Sequence, residues 1–190
     1  TDSLDYVKHQ LKMRIVELPE AVEFHVIFFS SGPPVEMPTR RLVPATERNK
    51  RLALEFIDGV VAQGKTDPSG AFDRAFAVGP RVIHFLTDGE FDKAIIDQVD
   101  RLNAGREVTL HTIGFLYRQN EDPLRTIAER NGGEYTFISD ADVDRPGVGR
   151  RISEVACHYG LDNLNVLFLT PLPGTRQWDQ MKPAGRIALE

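Results

Sequence analysis

Cysteine is almost absent from this sequence, which contains only Cys157. A single thiol cannot form an internal disulfide, and it cannot alone hold a thiolate zinc site or an iron-sulfur cluster. His158 lies next to it, but no third group that would orient a Cys-His pair can be assigned. The sequence therefore gives little support to a cysteine nucleophile and none to a site made of several cysteines.

Long apolar runs and blocks of like charge are also missing. No apolar run approaches the roughly 20 residues that cross a bilayer, and the first residues lack the charged and then apolar order of a signal peptide. The chain of 190 residues has 23 basic and 28 acidic residues, spread without a basic block. We therefore expect the stretch to be soluble as given, with no membrane segment and no nucleic-acid partner.

The sequence does contain a regular alternation of helical and strand patterns. Apolar residues at spacings of three and four predict helices, and short apolar runs predict strands buried on both faces. The predicted helices are Leu4–Leu18, Glu47–Ala62, Pro68–Val78, Phe91–Asn103 and Pro123–Asn131, and the predicted strands are Phe24–Phe29, Arg81–Thr87, Val108–Phe115 and Glu134–Ile138. The expected fold class is α/β, a doubly wound, mostly parallel sheet with helices on both faces.

Two parts of the chain depart from this alternation. Prolines interrupt Val35–Val43, which predicts a loop with at most an edge strand. Residues 140–151 are rich in aspartate and glycine and predict a linker, so the first domain is expected to span residues 1–139. The extension, 152–190, is expected to contain a helix at Ile152–Tyr159, a strand at Leu164–Leu169 and an irregular tail.

Polar residues follow the first two predicted strands and precede one predicted helix. They are Ser30 and Ser31, Thr66 and Asp67, and Asp88. Ligands of open parallel sheets bind at the carboxyl ends of the strands, where loops and helix N-termini meet. Hydroxyl and carboxylate oxygens suit magnesium, which keeps several of its waters. The same residue types also cap helices and form turns, and the local sequence taken alone favours that interpretation.

A set of segments gives a more specific indication. It consists of Phe24–Pro34, Gly64–Pro68, Phe85–Glu90, His111–Gly114 and Ile127–Gly133. In this order they resemble von Willebrand factor A domains of bacterial type, and the resemblance covers about residues 1–139. It implies a Rossmann-like fold and a protein-binding, adhesion-type module that is not an enzyme. It also implies that Thr66 and Asp88 correspond to two members of the metal-ion-dependent adhesion site.

The departure from the family pattern affects both the site and the sheet. The family's Asp-x-Ser-x-Ser loop occurs nowhere, and the chain begins in what resembles the helix after that loop. The adhesion site is therefore expected to be incomplete and to hold magnesium weakly. The family's first strand, normally central, is also missing, which would expose the edges of its neighbours. Either the chain is a truncated product or Leu164–Leu169 fills the place beside Phe24–Phe29 or Val82–Leu86, and we favour the second explanation.

The tail has a resemblance of its own. Asn165–Thr175, with Trp178 and Gly185–Ile187, resembles a segment near the end of the catalytic domain of some radical S-adenosylmethionine enzymes. Those enzymes hold a four-iron cluster on a motif with three cysteines, which a chain with only Cys157 cannot provide. The resemblance therefore does not imply that activity here.

The alternative function is a P-loop-like nucleotide-binding hydrolase. Gly59–Thr66 matches the formula Gly-x-x-x-x-Gly-Lys-Thr, and Asp88 follows a strand, as a magnesium-holding aspartate would. That loop requires a strand before it and a helix that begins at its lysine. Helical spacing precedes Gly59, and the next predicted helix begins only at Pro68. We therefore prefer the binding module, in which Lys65 replaces a glycine of the adhesion-site loop.

The histidines are interpreted as ordinary structural residues. Three lie inside predicted strands, one lies on a predicted helix and one in the extension: His25, His84, His111, His9 and His158. From these positions, core or surface packing is the expected role of each.

Overall fold

The predicted alternation is present in a computed structural model, which describes residues 3–30, 32–61, 67–87, 91–115 and 121–138. Its helices are α1 (Ser3–Glu17), α2 (Glu47–Gly59), α3 (Ser69–Val78), α4 (Ala94–Asn103) and α5 (Glu121–Arg130). Its strands are β1 (Glu23–Phe24), β2 (Ile27–Phe28), β3 (Val35–Glu36), β4 (Val43–Pro44), β5 (Val82–Thr87), β6 (Thr109–Phe115) and β7 (Tyr135–Ile138). Outside the region from Phe24 to Val43, these bounds lie within a few residues of the predicted ones.

Strands β5, β6 and β7 form a parallel sheet in that order. β5 and β6 pair along their whole shared length, from Val82 beside Thr109 to Thr87 beside Gly114. All six residues of β5 are buried. A strand covered on both faces needs apolar side chains at nearly every position, which accounts for the continuous apolar run that predicted β5.

The two faces of β5 and β6 belong to two separate hydrophobic cores. Successive side chains of a strand point to opposite faces of its sheet. Ile83 and Phe85 pack in one core with buried residues of α3, α4 and α5. Leu86 and Ile113 pack in the other core with buried residues of α1, α2, β1, β2 and β4. Helices therefore cover both faces, and the predicted α/β doubly wound class is confirmed.

The segment Phe24–Phe29 differs from the single buried strand that the sequence predicted. It contains two short strands with antiparallel partners, because β1 pairs with β4 and β2 pairs with β3. His25 and Val26 separate β1 from β2, whereas residues 37–42 separate β3 from β4. This longer excursion contains Pro38 and turns at Arg40, whose φ of 51° is left-handed. The excursion interrupts the hydrogen-bond ladder between the two halves of the hairpin. The strands β3 and β4 thus lie where the sequence predicted a loop with at most an edge strand.

The turn between α5 and β7 depends on two adjacent glycines. Gly132 has a φ of 69°, a backbone angle that residues other than glycine rarely adopt. A Cβ added to Gly133 would lie 2.1 Å from the carbonyl oxygen of Leu110 in β6. The Gly133 N–H donates a hydrogen bond to the carbonyl of Ala128 in α5. The Asn-Gly-Gly sequence therefore lets the chain pass close to β6 before it enters the sheet.

Several expectations fall on parts of the chain outside the described residues. The predicted linker 140–151 and the extension 152–190 both lie there, including the strand Leu164–Leu169 and the tail that resembles radical S-adenosylmethionine enzymes. The position of that strand in the main sheet therefore stays a prediction. Among the described helices, none combines the length and apolar character that crossing a bilayer requires.

Candidate functional site

The candidate site lies at the carboxyl ends of the parallel strands. β5 ends at Thr87, directly before Asp88, and Thr87 lies beside Gly114 near the end of β6. Helix α3 begins at Ser69, three residues after Thr66. Thr66 and Asp88 themselves, the two predicted metal ligands, lie outside the described residues. The structure thus describes the elements that flank both residues, and their proximity to each other stays a prediction.

Asp67 lies two residues before α3 and binds the first residue of that helix. Its Oδ1 accepts hydrogen bonds from the backbone N–H of Ser69 at 3.0 Å and from the Ser69 hydroxyl at 2.6 Å. The first N–H groups of a helix lack partners within the helix, and a carboxylate there also interacts favourably with the helix dipole. Pro68 is the N-cap residue of α3 and makes no side-chain capping bond, so Asp67 binds the first N–H of the helix from the position before the cap.

Ser30 follows β2 and lies in a turn. Its hydroxyl accepts a long hydrogen bond of 3.4 Å from the backbone N–H of Gly32, and its side chain is partly buried. A serine oxygen used in this way stabilises a local turn. Ser31, the other predicted oxygen donor in this loop, lies outside the described residues.

The described oxygens at this edge make local hydrogen bonds. In the described ranges, no group of three or more histidine, cysteine, aspartate or glutamate residues is placed to hold a metal ion. Magnesium requires oxygens in near-octahedral geometry and releases its water reluctantly. The Asp67 and Ser30 oxygens are already engaged with neighbouring backbone N–H groups. Magnesium coordination by Thr66 and Asp88, which lie outside these ranges, therefore stays a prediction.

The helix before the phosphate-loop pattern argues against the alternative function. Gly59, the first residue of the pattern, is the last residue of α2, and Val60 caps that helix. The next described helix begins at Ser69, beyond the lysine and threonine of the formula. A phosphate loop joins a strand to a helix so that its backbone N–H groups surround the phosphates. The described elements give the nucleotide-binding interpretation no support.

Two core histidines form a stacked pair inside the sheet. His84 and His111 occupy the same register of β5 and β6, with ring centroids 5.1 Å apart and planes 15° apart. Burial, and to a smaller extent His111, lowers the pKa of His84 to about 3. Burial also lowers the pKa of His111, although the nearby Glu134 opposes this effect. Both imidazoles are therefore neutral core side chains near pH 7, as expected from their positions in strands.

A third histidine belongs to a polar cluster that the sequence did not predict. The Nε2 atom of His25 lies 2.9 Å from Glu36, and the Nε of Arg74 lies 2.9 Å from each oxygen of the same carboxylate. Arg74 also donates to the backbone carbonyl of Arg40. Glu36 and Arg74 are 38 positions apart, on a hairpin and on α3. Tertiary packing alone brings these residues together, so no local sequence motif indicates the cluster.

The protonation states in this cluster follow from burial and hydrogen bonding. Burial lowers the pKa of His25, and the hydrogen bond to Glu36 opposes that effect only in part. Burial alone would raise the pKa of Glu36, but the hydrogen bonds from Arg74 and His25 outweigh it and lower that pKa. Near neutral pH the cluster therefore contains a neutral imidazole, a carboxylate and a guanidinium.

Comparison with known proteins agrees with this fold. The family described as the von Willebrand factor type A domain matches residues 2–137, which is most of the chain. The chain belongs to the von Willebrand factor type A domain family. It is similar to a solved structure, the von Willebrand factor type A protein from Catenulispora acidiphila, with 19% identity and a TM-score of 0.66.

The structural match covers different shares of the two chains. It covers 80% of this chain but only 38% of the Catenulispora acidiphila chain. At 19% identity, the likeness establishes the fold and no more. A search of curated proteins finds no match. The activity and partners of this von Willebrand factor type A domain are therefore matters for proposal.

We predict that this von Willebrand factor type A domain does not bind ATP, because a helix rather than a strand leads into Gly59. Calorimetric titration with magnesium and ATP should show no saturable heat, and Lys65→Ala should behave like the wild type. Micromolar binding that disappears in Lys65→Ala would contradict this prediction and favour the P-loop-like hydrolase.

Proposed function

We propose that this chain is a protein-binding module, not an enzyme, and that its partner docks at the carboxyl ends of the parallel strands. The observation that carries the proposal is the family match over residues 2–137, since von Willebrand factor type A domains commonly mediate protein interactions. The resemblance at Gly64–Pro68 and Phe85–Glu90 supports the choice of this edge, because these segments correspond to the family's adhesion-site loops.

The described geometry is compatible with a docking surface at that edge. The fully buried strand β5 and its neighbour β6 form a rigid base there. Asp67 is exposed at the start of α3, and the chain leaves β5 directly into Asp88 and Glu90. Loops on a rigid scaffold are common binding surfaces, because their side chains can vary without disturbing the core. Because these loops carry carboxylates, reversing the charge of one of them tests whether the surface binds a partner.

The proposed binding does not depend on a tightly held magnesium ion. The family's Asp-x-Ser-x-Ser loop is not found in this sequence, and Thr66 and Asp88 alone offer one hydroxyl and one carboxylate. We infer that a cation shared with a partner contributes little here. Direct hydrogen bonds and packing of the loops would then provide the affinity, as in other non-obligate protein interfaces.

We predict that Asp88→Arg weakens partner binding by at least about tenfold, which corresponds to roughly 1.4 kcal/mol. The reversal replaces an anion with a cation in the loop that follows β5 and would disturb the charge complementarity of the proposed surface. Partners retained by the immobilised chain from extracts of its own source would be identified, purified and measured by surface plasmon resonance.

The matched control is Glu107→Arg, because Glu107 is exposed just before β6, at the amino end of the sheet. It changes the net charge by the same amount as Asp88→Arg, and the proposal predicts unchanged affinity. Equal losses of affinity in both variants would indicate a general electrostatic effect. A loss of affinity confined to Glu107→Arg would place the binding surface elsewhere. Conversion of a retained molecule into a product by the wild-type chain would contradict the assignment as a non-enzyme.

We predict that magnesium binds weakly or not at all, although Thr66 and Asp88 should lie near each other. The loss of the family's other oxygen donors should leave the ion largely hydrated, because magnesium gives up its water reluctantly. Magnesium would be titrated while the amide signals of Thr66 and Asp88 are followed by NMR. Saturable, submillimolar binding at both residues, lost in Asp88→Ala, would show that the incomplete site is functional.

A further inference from the structure

Strand β5 is buried, yet among the described residues it has a strand partner on only one of its two edges. β6 pairs with it in parallel, and the order β5-β6-β7 places β5 at the end of that sheet. An edge strand at the surface of a protein leaves its N–H and C=O groups to water. All six residues of β5 are buried, so its second edge is not a surface edge of this kind.

The register with β6 shows which backbone groups of β5 face the second edge. The N–H of Thr109 in β6 donates to the carbonyl of Arg81, directly before β5. Backbone groups of successive residues point alternately to the two sides of a strand, so those of Val82, His84 and Leu86 point away from β6. These three edge residues are only 4–6% exposed. Buried backbone groups are almost always hydrogen-bonded, so the edge requires a partner that the described strands do not supply.

Strand β2 and the residue after it form the opposite wall of the same space. Phe28 packs in one core with Leu86, and Phe29 packs in the other core with Phe85, their ring centroids 6.1 Å apart. β2 nevertheless pairs with β3 and shares no ladder with β5. One strand between them would separate the two backbones by about 9.6 Å, a width across which phenyl rings can meet. We call this space, between Val82–Leu86 and β2, the strand slot.

The strand slot requires an occupant that is apolar on both faces. The slot lies between the two hydrophobic cores, and the side chains of a strand alternate between its faces. Leu164–Leu169, outside the described residues, is as long as β5, and Asn165 is its only polar residue. A strand with alternating polar residues would instead bury them in one of the cores without partners.

The length of chain before this segment permits a position parallel to β5. β7 ends at Ile138, at the carboxyl edge of the sheet, and residues 139–163 separate it from Leu164. A connection between parallel strands needs about a dozen residues or more and usually contains a helix. The helix predicted at Ile152–Tyr159 falls in this stretch. The connection is therefore long enough to return the chain to the amino end of β5 before the segment begins.

We propose that Leu164–Leu169 occupies the strand slot parallel to β5 and binds the backbone groups of Val82, His84 and Leu86. The extension then completes the sheet of its own chain and is not a separate unit. The strand slot lies inside the sheet, whereas the proposed partner surface lies at the carboxyl ends of the strands. Either proposal can therefore fail without the other.

The test uses NMR on the whole chain labelled with ¹⁵N and ¹³C. Nuclear Overhauser contacts should join backbone protons of Leu164–Leu169 to those of the three edge residues. The amide protons of the edge residues should exchange slowly with solvent, because each is hydrogen-bonded to the occupant. A second sample mixes labelled and unlabelled chains, and its isotope-filtered spectra show only contacts between different chains.

A proline variant tests whether the segment protects the edge. Val166→Pro removes an N–H from the middle of the proposed strand, and proline is not tolerated in a central strand. Amide exchange of the edge residues should become at least about tenfold faster, and exchange of Ile83 and Phe85, whose N–H groups face β6, should change less. The matched control Val143→Pro, in the predicted linker, should leave all these rates unchanged. The wild-type contacts test the proposal even if Val166→Pro does not fold.

The contacts and the exchange rates decide the proposal together. Contacts within one chain, with slow exchange of the edge residues, support it. Contacts found only between chains would show that a second copy provides the strand and would contradict it. The absence of contacts from Leu164–Leu169, or unchanged exchange in a folded Val166→Pro variant, would overturn it.

Discussion

The rest of the structure depends on the burial of β5 on both faces. All six of its residues are buried, including His84 and Thr87, whose polar side chains would otherwise prefer water. Burying a large apolar side chain stabilises the fold by about 1.5–3 kcal/mol. The apolar residues of β5 can therefore offset the free-energy cost of burying its polar residues only if helices cover both faces of the strand. The helices do so in two separate cores, one reached by Phe85 and the other by Leu86.

This arrangement also determines where function can lie. Because β5 has no exposed side chains, a partner could approach this strand only at the loops that precede and follow it. The carboxyl end carries the segments that resemble the family's adhesion-site loops, and the described oxygens of Ser30 and Asp67 there make local hydrogen bonds. The hairpin also brings Glu36 to His25 and Arg74, which form a polar cluster away from that edge. Strand topology therefore places the adhesion-site segments, whereas the packing of α3 on the hairpin places the polar cluster.

Periodicity and apolar runs were enough to predict the helices, the parallel strands and the α/β class, because these features repeat within short windows of sequence. They were not enough for the Phe24–Phe29 segment, where a continuous apolar run does not show whether the partner strand is parallel or antiparallel. A contact of Asp67 with the start of α3 was predictable, since Asp67-Pro68 directly precedes the helix. The cluster of Glu36 and Arg74 around His25 was not, because those residues meet only through the packing of α3 on the hairpin.

The most direct test of this account is the protonation of His84 in the folded chain, followed by NMR as the pH falls. Burial of the strand lowers the pKa of His84 to about 3, well below its ordinary value of 6.5. The unfolded chain then binds the proton first, so this residue's contribution to stability is complete above pH 6.5 and is lost as the pH falls towards 3. At pH 5 the loss is about 2 kcal/mol. The account predicts that His84 remains neutral at pH 5 in the folded protein, and half-protonation near pH 6.5 in the folded state would show that β5 is not sealed between two cores.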